Sequence, residues 1–334
     1  MTYFPLLISA IKRETRDCQT FYFQLPIELK NLYTWHAGQY VKVRLNIKGE
    51  EQLRYFSITS IPGSDRLALT VKSNGEGGVS DFINEMLDVD QRVDVSLPQG
   101  SFFIAPDVSR HRTYFFFAAG SGITPILSII RSTLAQEPNS QFTLFYGNRA
   151  TNSTLFREQL EDLKNLYMER LNLVYVMSRE QQEVDLFNGR ITAERCKQLL
   201  QQWIHPEQLH ACFLCGPQTM IEEVSTALQE SGVEKDRIHF ELFTTALARI
   251  KGADTARVHQ GDPNDTAVSE VSVAIDGRTL SFELPHNSDN ILDAGIKAGA
   301  DLPWSCKAGV CSTCRATVVE GEVEMDANFA LEDY

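Results

Sequence analysis

From Thr2 to about Phe103 the chain alternates polar and β-forming residues in short runs, notably 40–45, 54–59, 67–71 and 92–95. Turn clusters at 62–65 and 74–78 separate them. A period of two turns one face of each run to a core and the other to water, and short strands broken at this spacing predict an antiparallel β-barrel or sandwich.

At Thr113 the pattern changes. Strand-like apolar runs at 113–118, 141–146, 171–176 and 211–214 now alternate with helix-like stretches at 125–134, 155–167, 192–204 and 218–231. That alternation predicts a doubly wound parallel sheet. Gly232 stands where a C-terminal glycine cap of the last helix belongs. Between Thr245 and Thr266 the chain is rich in Ala, Gly, Asp, Lys and Arg without an apolar period, which reads as a linker. Runs 271–275 and 279–283 then predict a hairpin around Asp276-Gly277, followed by a helix at 290–298. The expected architecture is multidomain: an antiparallel β-barrel over 1–108, an α/β doubly wound domain over 109–245, a linker over 246–267 and an α+β module over 268–334.

A chain of 334 residues suits more than one core. With 43% hydrophobic and 22% charged residues it has the composition of a globular protein, and no run of about 18 apolar residues is present to span a bilayer. The first residues lack the basic start, long apolar middle and small-residue cleavage site of a secretory signal, so the expected location is cytoplasmic, with reduced cysteines. A net charge of -13 disfavours nucleic acid and anionic membrane as partners. The charge is uneven: residues 268–334 hold 12 Asp/Glu against 4 Lys/Arg, a net of -8. This is either a solvated acidic face or a surface that steers a basic protein partner.

Of the seven cysteines, Cys18, Cys196, Cys212 and Cys215 are scattered, whereas Cys306, Cys311 and Cys314 form C-x4-C-x2-C. That spacing lets one tight loop deliver three thiolates to a plant-type 2Fe–2S cluster. Zinc sites more often use C-x2-C pairs, and no second pair is present. A fourth thiolate is expected from a later loop, but the 20 residues after Cys314 contain neither Cys nor His, which also excludes a Rieske arrangement. The expectation is a ferredoxin-like module cut short, so that the chain as given serves small electron acceptors better than a protein partner.

The strand at 113–118 runs into Gly120-Ser121-Gly122-Ile123-Thr124-Pro125. Gly120 and Gly122 permit a tight turn and close approach to a pyrophosphate; Thr124 is expected to cap the next helix and Pro125 to open it. At the first strand-to-helix turn of a parallel sheet this is good evidence for dinucleotide binding. The second strand ends Asn148-Arg149 and the third Ser178-Arg179, with no acidic residue at the second strand's end to hold ribose hydroxyls. Arg149 and Arg179 are either surface arginines or partners for a 2'-phosphate, which favours NADPH over NADH. Cys215-Gly216-Pro217 ends the fourth strand, where a small side chain suits a wall beside nicotinamide; alone, Cys215 reads equally as a structural cysteine. In the first domain, Arg54-Tyr55-Phe56-Ser57 lies on a strand and Gly77-Gly78-Val79-Ser80 opens a helix, a combination able to hold a pyrophosphate and offer an aromatic stacking face.

In this order the motifs resemble the ferredoxin–NADP reductase superfamily along nearly the whole chain. Within it the chain looks most like reductase subunits that serve multicomponent oxygenases, first those of phenylacetyl-CoA 1,2-epoxidases in aerobic phenylacetate degradation, then those of steroid hydroxylases. The resemblance extends to residues 144–149, 241–243 and 302–314. It implies a β-grasp ferredoxin fold for the last module and FAD, NADPH and a 2Fe–2S cluster as cofactors. It implies that Arg54 and Ser80 hold the FAD phosphates and that Phe56 stacks on the isoalloxazine. Tyr55, Val71, Lys72, Gly77, Gly78 and Val79 complete that flavin site. By the same resemblance, Ser57 bonds near flavin N5, and Thr124, Cys215 and Glu241 flank the nicotinamide, which makes Ser57, Cys215 and Glu241 the catalytic set. Ser178-Arg179 resembles the 2'-phosphate site, and Cys306, Cys311 and Cys314 the cluster ligands. Two departures stand out: Phe56 replaces a tyrosine, and the end of the ferredoxin module is absent.

NADPH delivers two electrons as hydride, whereas an oxygenase takes them singly, so a flavin and a cluster between them divide the pair. The rivals are a clusterless, diaphorase-like NAD(P)H:acceptor flavin reductase, which iron content separates, and a redox sensor whose loop cysteines oxidise, which would bind no flavin.

Overall fold

The computed structural model describes residues 2–75, 77–203, 208–243, 267–275, 278–286, 288–300, 302–303 and 314–325. The chain divides into two compact units, Met1–Leu242 and Phe243–Tyr334.

The first unit begins with six antiparallel strands, β1 Tyr3–Thr15, β2 Cys18–Gln24, β3 Tyr40–Ile47, β4 Glu50–Ser57, β5 Arg66–Lys72 and β6 Arg92–Ser96. They lie in the order β4-β3-β6-β1-β2-β5, and an antiparallel bridge between Ile58 and Leu69 joins the two outer strands into a barrel. Alternation places Leu6, Ile8, Phe21, Phe23, Val41, Val43, Leu69 and Val95 inside. Helix α1, Val79–Met86, follows β5.

The same unit continues as a parallel sheet of β7 Thr113–Ala119, β8 Gln141–Asn148, β9 Leu171–Met177, β10 Leu209–Gly216 and β11 Ile238–Leu242, ordered β11-β10-β7-β8-β9. Helices α2 Ile123–Gln136, α3 Arg157–Leu166, α4 Ala193–Trp203 and α5 Gln218–Glu230 connect the strands. Two apolar clusters cover the sheet, one led by Phe116, Tyr146 and Phe213 with α2 and α3, the other by Phe117, Phe145 and Leu214 with α4 and α5. Gly232 (φ 92) ends α5 as expected: its N–H donates to Gln229 O at 2.9 Å and Val233 N–H to Leu228 O at 3.0 Å, the paired bonds of a Schellman cap.

Barrel and sheet share core. Cys18, Ala37 and Phe102 of the barrel half pack into the α2 side of the sheet, and Ser128 Oγ on α2 donates to Ser60 O at 3.0 Å. Gly38 sits at φ 102 with its missing Cβ position 2.0 Å from Phe102 O and 2.9 Å from Ile129 Cδ1, so only glycine fits that seam.

The second unit, among its described residues, is a hairpin of β12 Val268–Ile275 and β13 Arg278–Pro285 with helix α6 Ile291–Lys297. Ile275 pairs with Arg278, as a two-residue turn requires. Asn290 caps α6, accepting from Asp293 N–H at 2.9 Å. Gly295 lets α6 approach Phe282 of β13 and Leu302. The turn residues Asp276-Gly277 and most of the expected linker lie outside the described residues.

On β11, His239 stacks on Phe213 (ring centroids 4.9 Å apart). Burial pushes its imidazole below the ordinary value of 6.5, against a smaller opposing pull from Asp236. The folded state therefore holds fewer protons than the unfolded chain just below pH 6.5, and stability must fall as pH drops through that value toward the folded pKa. We expect the unfolding temperature to decline between pH 8 and pH 5.5, and His239→Gln, which cannot titrate, to flatten that decline. An unchanged pH profile in the variant would remove His239 as its source.

Candidate active site at the junction of barrel and sheet

The flavin-motif strand β4 runs antiparallel to β3 with Val43 opposite Arg54, Val41 opposite Phe56, Lys42 opposite Tyr55 and Tyr40 opposite Ser57. Strand alternation therefore separates the motif into two faces. Phe56 packs against the barrel core beside Val41, on the face shared with Arg54. Tyr55 points the other way, its ring edge-on to Tyr40 (5.8 Å) and 5.3 Å from the Lys42 ammonium, and Ser57 is buried on that same face.

Arg54 is half-buried, and among the described residues its guanidinium donates from Nη1 to Leu53 O at 2.7 Å. Burial alone lowers its pKa, with no carboxylate among the causes. A partly desolvated guanidinium without a counter-ion is costly unless an anion completes it. The loop after β5 supplies a second anion-seeking feature. Asp81, buried in the first turn of α1, accepts from Gly75 N–H and Gly78 N–H, each at 3.0 Å, and from the Ser73 hydroxyl. Asn84 ties the same helix to β5 by donating to Val71 O at 3.2 Å and Ser80 O at 2.8 Å. The loop is thus held open with Gly77 at φ 70, and Cβ positions at Gly77 and Gly78 meet nothing within 4 Å. The first-turn amides of Val79 and Ser80 have no acceptor within the helix. Backbone donors, a helix N-terminus and an arginine with no ion pair among the described residues suit a flavin pyrophosphate. Lys72 pairs with Asp17 at 3.6 Å, which fixes the end of β5.

At the carboxyl end of the sheet, Gly120 (φ 55) to Gly122 form a single 3-10 turn that runs directly into α2. This corrects the expected start of the helix. Gly122, not Thr124, is the N-cap; Thr124 lies inside the first turn, its hydroxyl donating to Ser121 O at 3.0 Å, and Pro125 is the third helical residue. After a left-handed Gly120, the turn closes as 3-10 and takes up the residues that a capped start would have left extended. Tyr146 anchors the turn by donating its hydroxyl to Gly120 O at 3.0 Å. Gly122 lies against β10, where a Cβ would stand 2.0 Å from Cys215 O and 2.8 Å from Gly216 N. Gly216 is similarly crowded by Met220 and Ala119, while Pro217 is exposed and caps α5.

Cys215 is fully buried and pairs in register with Glu241 of β11. Burial first, and the Glu241 charge second, push its thiol pKa well up, so it is a neutral S–H that shapes a wall rather than a nucleophile. Across the seam, Ser57 Oγ donates to Glu241 Oε2 at 3.3 Å, a contact between residues 184 positions apart. Ser57, Cys215 and Glu241 are thereby brought together. The surface hollow of about 450 Å³ beside His210, Asp236 and His239 lies instead at the amino end of β10. Ligands of open parallel sheets bind at the carboxyl ends, which favours the Ser57–Glu241 seam.

Beyond the ends of β8 and β9 the backbones stay joined, with Ser178 N–H donating to Asn148 O at 2.9 Å and Arg179 N–H to Arg149 O at 2.8 Å. Arg149, Ser178 and Arg179 are exposed side by side, and neither arginine makes an ion pair among the described residues. The three expected cluster ligands are different: Cys306 and Cys311 lie outside the described residues, and Cys314 is half-buried.

Three family models match in succession: an oxidoreductase FAD-binding domain over residues 5–104, an oxidoreductase NAD-binding domain over 116–226 and a 2Fe-2S iron-sulfur cluster binding domain over 273–334. The chain is 38% identical to a component protein of the 1,2-phenylacetyl-CoA epoxidase of Escherichia coli (strain K12), over 99% of this chain and 91% of that protein. This chain belongs to the ferredoxin reductase family. It is also 31% identical to the ferredoxin reductase component of 3-ketosteroid-9-alpha-monooxygenase from Rhodococcus rhodochrous, over 96% and 87% of the two chains. A solved phthalate dioxygenase reductase shares the fold at a TM-score of 0.62 and 22% identity, covering 99% of this chain and 91% of that one. This ferredoxin reductase is an oxidoreductase that uses a nicotinamide nucleotide, FAD and a 2Fe–2S domain, and it is of the kind that serves as the reductase component of oxygenase systems. No helix among the described residues is long and apolar enough to cross a membrane.

Two features of this site are invisible to motif reading. One is that neither Arg149 nor Arg179 is tied up in an ion pair among the described residues. The other is a link from Thr151 to Glu180, in which Thr151 N–H and Oγ1–H donate to the two carboxylate oxygens at 2.7 and 2.6 Å.

Proposed function

We propose that this reductase draws electrons from NADPH and passes them through FAD and a 2Fe–2S cluster to the oxygenase component of a phenylacetyl-CoA epoxidase, in the cytoplasm. The higher identity to the epoxidase component, 38% against 31% for the steroid monooxygenase reductase, supports that partner over a steroid hydroxylase. The observation that carries the chemistry is the Ser57–Glu241 hydrogen bond, because it joins the flavin-motif strand to the nicotinamide-side strand at one point.

Bound FAD would supply the capacity to take up a hydride and release electrons one at a time. Arg54, the Gly77 to Ser80 helix start and the Phe56 ring would hold it. Glu241 keeps the Ser57 hydroxyl proton oriented at the seam, Cys215 closes the wall and excludes water, and Gly120 to Pro125 with Gly216-Pro217 carry the nucleotide. Ser178, Arg149 and Arg179 take the 2'-phosphate. Cys306, Cys311 and Cys314 would supply three of the four cluster thiolates.

The test is reconstitution with the epoxidase oxygenase and, separately, a steroid hydroxylase oxygenase, following NADPH-dependent product formation. Coupled turnover with the epoxidase and not with the steroid hydroxylase is the expected result, slow beside ferricyanide reduction because the sequence holds only three of the four cluster thiolates; equal coupling with both would overturn the partner, and absence of iron from the purified protein would overturn the cluster. Replacing Arg149 and Arg179 together with alanine should raise KM for NADPH about tenfold or more while leaving NADH almost unaffected.

A further inference from the structure

The loops that follow β8 and β9 are zipped together in three steps. The backbone bonds Ser178 to Asn148 and Arg179 to Arg149 are the first two. The third is the Glu180 carboxylate, both of whose oxygens accept from Thr151. Each loop is independently rigid: Ser153 and Thr154 hydroxyls close on Ala150 O at 2.9 and 3.1 Å, while Asn188 Oδ1 accepts from Gln182 N–H at 2.7 Å and Gly189 N–H donates to Met177 O at 2.7 Å. The position of Glu180 is therefore fixed from both sides. It directly follows Arg179, in the place where a free carboxylate would repel a 2'-phosphate and accept from the ribose hydroxyls of NADH instead.

We infer that the Thr151–Glu180 contact is a specificity latch: by occupying both carboxylate oxygens it withholds the only acidic neighbour of Arg179 in sequence from the nucleotide, and so sets the preference for NADPH. The inference rests on the proposed 2'-phosphate site. The two Thr151 hydrogen bonds also lower the Glu180 pKa, with a lesser contribution from Arg157, so the latch is ionised throughout the neutral range. Glu180 is a positioning residue, acting on the charge around Arg179 rather than on the reacting atoms.

Two variants separate charge from fold. Thr151→Val removes the hydroxyl donor and frees one carboxylate oxygen; the ratio of kcat/KM for NADPH to that for NADH should fall about tenfold, the worth of one hydrogen bond to a charged group. The change should appear in KM, with KM for NADPH rising and KM for NADH falling. Glu180→Gln keeps an acceptor for Thr151 but removes the charge, and KM for NADPH should stay level or decrease. Ferricyanide reduction by the purified full chain gives both constants. If Thr151→Val raises both KM values together, the contact is merely structural and the inference is overturned. If Glu180→Gln weakens NADPH as much as Thr151→Val does, the charge is not what the latch controls, which overturns it equally. The paired substitution of Arg149 and Arg179 tells the two levels apart: an unchanged NADPH KM there removes the phosphate site itself, whereas a raised KM there with a silent Thr151→Val removes only the latch.

Discussion

Gly122→Ala is expected to destabilise the protein by about 3 kcal/mol and to weaken nucleotide binding with it. The new Cβ would stand 2.0 Å from Cys215 O, 2.4 Å from its carbonyl carbon and 2.8 Å from Gly216 N. All three are backbone atoms of β10, which is held between β7 and β11 by parallel ladders on both edges. Neither strand nor helix can give way without breaking bonds that form the floor of the site. The control is Gly120→Ala two residues earlier. Gly120 has φ 55 but its Cβ position is open, so the cost there is only the left-handed conformation, about 1 kcal/mol. Urea unfolding of the two variants measures the difference. Equal midpoints would mean that the contact between α2 and β10 is not what requires glycine at 122.

The parallel sheet is legible in the sequence because its strands are buried on both faces and so read as continuous apolar runs, Tyr114 to Ala118 above all. β11 is not, since only five residues, Ile238–Leu242, form it, and His239 and Glu241 interrupt them. β1 escapes for another reason: register shifts between Ile8 and Ala10 and between Arg13 and Thr15 break the alternation that marks a strand. The glycine turn at 120–122 is visible in sequence, yet its closure into a 3-10 turn is not, and this moves the start of α2 ahead of Thr124. Within the site, local motifs show which residue types are present but not which of them meet. The link between Thr151 and Glu180 spans 29 positions and that between Ser57 and Glu241 spans 184, so both exist only through the fold.

Ser57→Ala is expected to slow reduction of the bound flavin by NADPH about a hundredfold, the effect typical of losing one oriented polar group at a hydride-transfer site. The Ser57 hydroxyl is buried and its contact to Glu241 Oε2 measures 3.3 Å, long enough to tighten when nucleotide fills the seam. Glu241→Gln should act in the same direction, because an amide at that position can turn its NH2 toward Ser57 and leave the hydroxyl proton without a fixed acceptor. Since the two side chains act through one hydrogen bond, the double variant should be scarcely slower than Ser57→Ala alone. Flavin content is expected to stay at the unsubstituted level: Arg54 and the Gly77 to Ser80 helix start, which are proposed to hold the cofactor phosphates, are untouched by either change. Stopped-flow reduction followed at the flavin absorbance gives the rate. NADPH deuterated at C4 shows whether hydride transfer has become the slow step, through a larger isotope effect in the variants. Losses that multiply fully in the double variant would show that Ser57 and Glu241 act independently. Normal reduction rates in both single variants would remove the seam from the chemistry altogether.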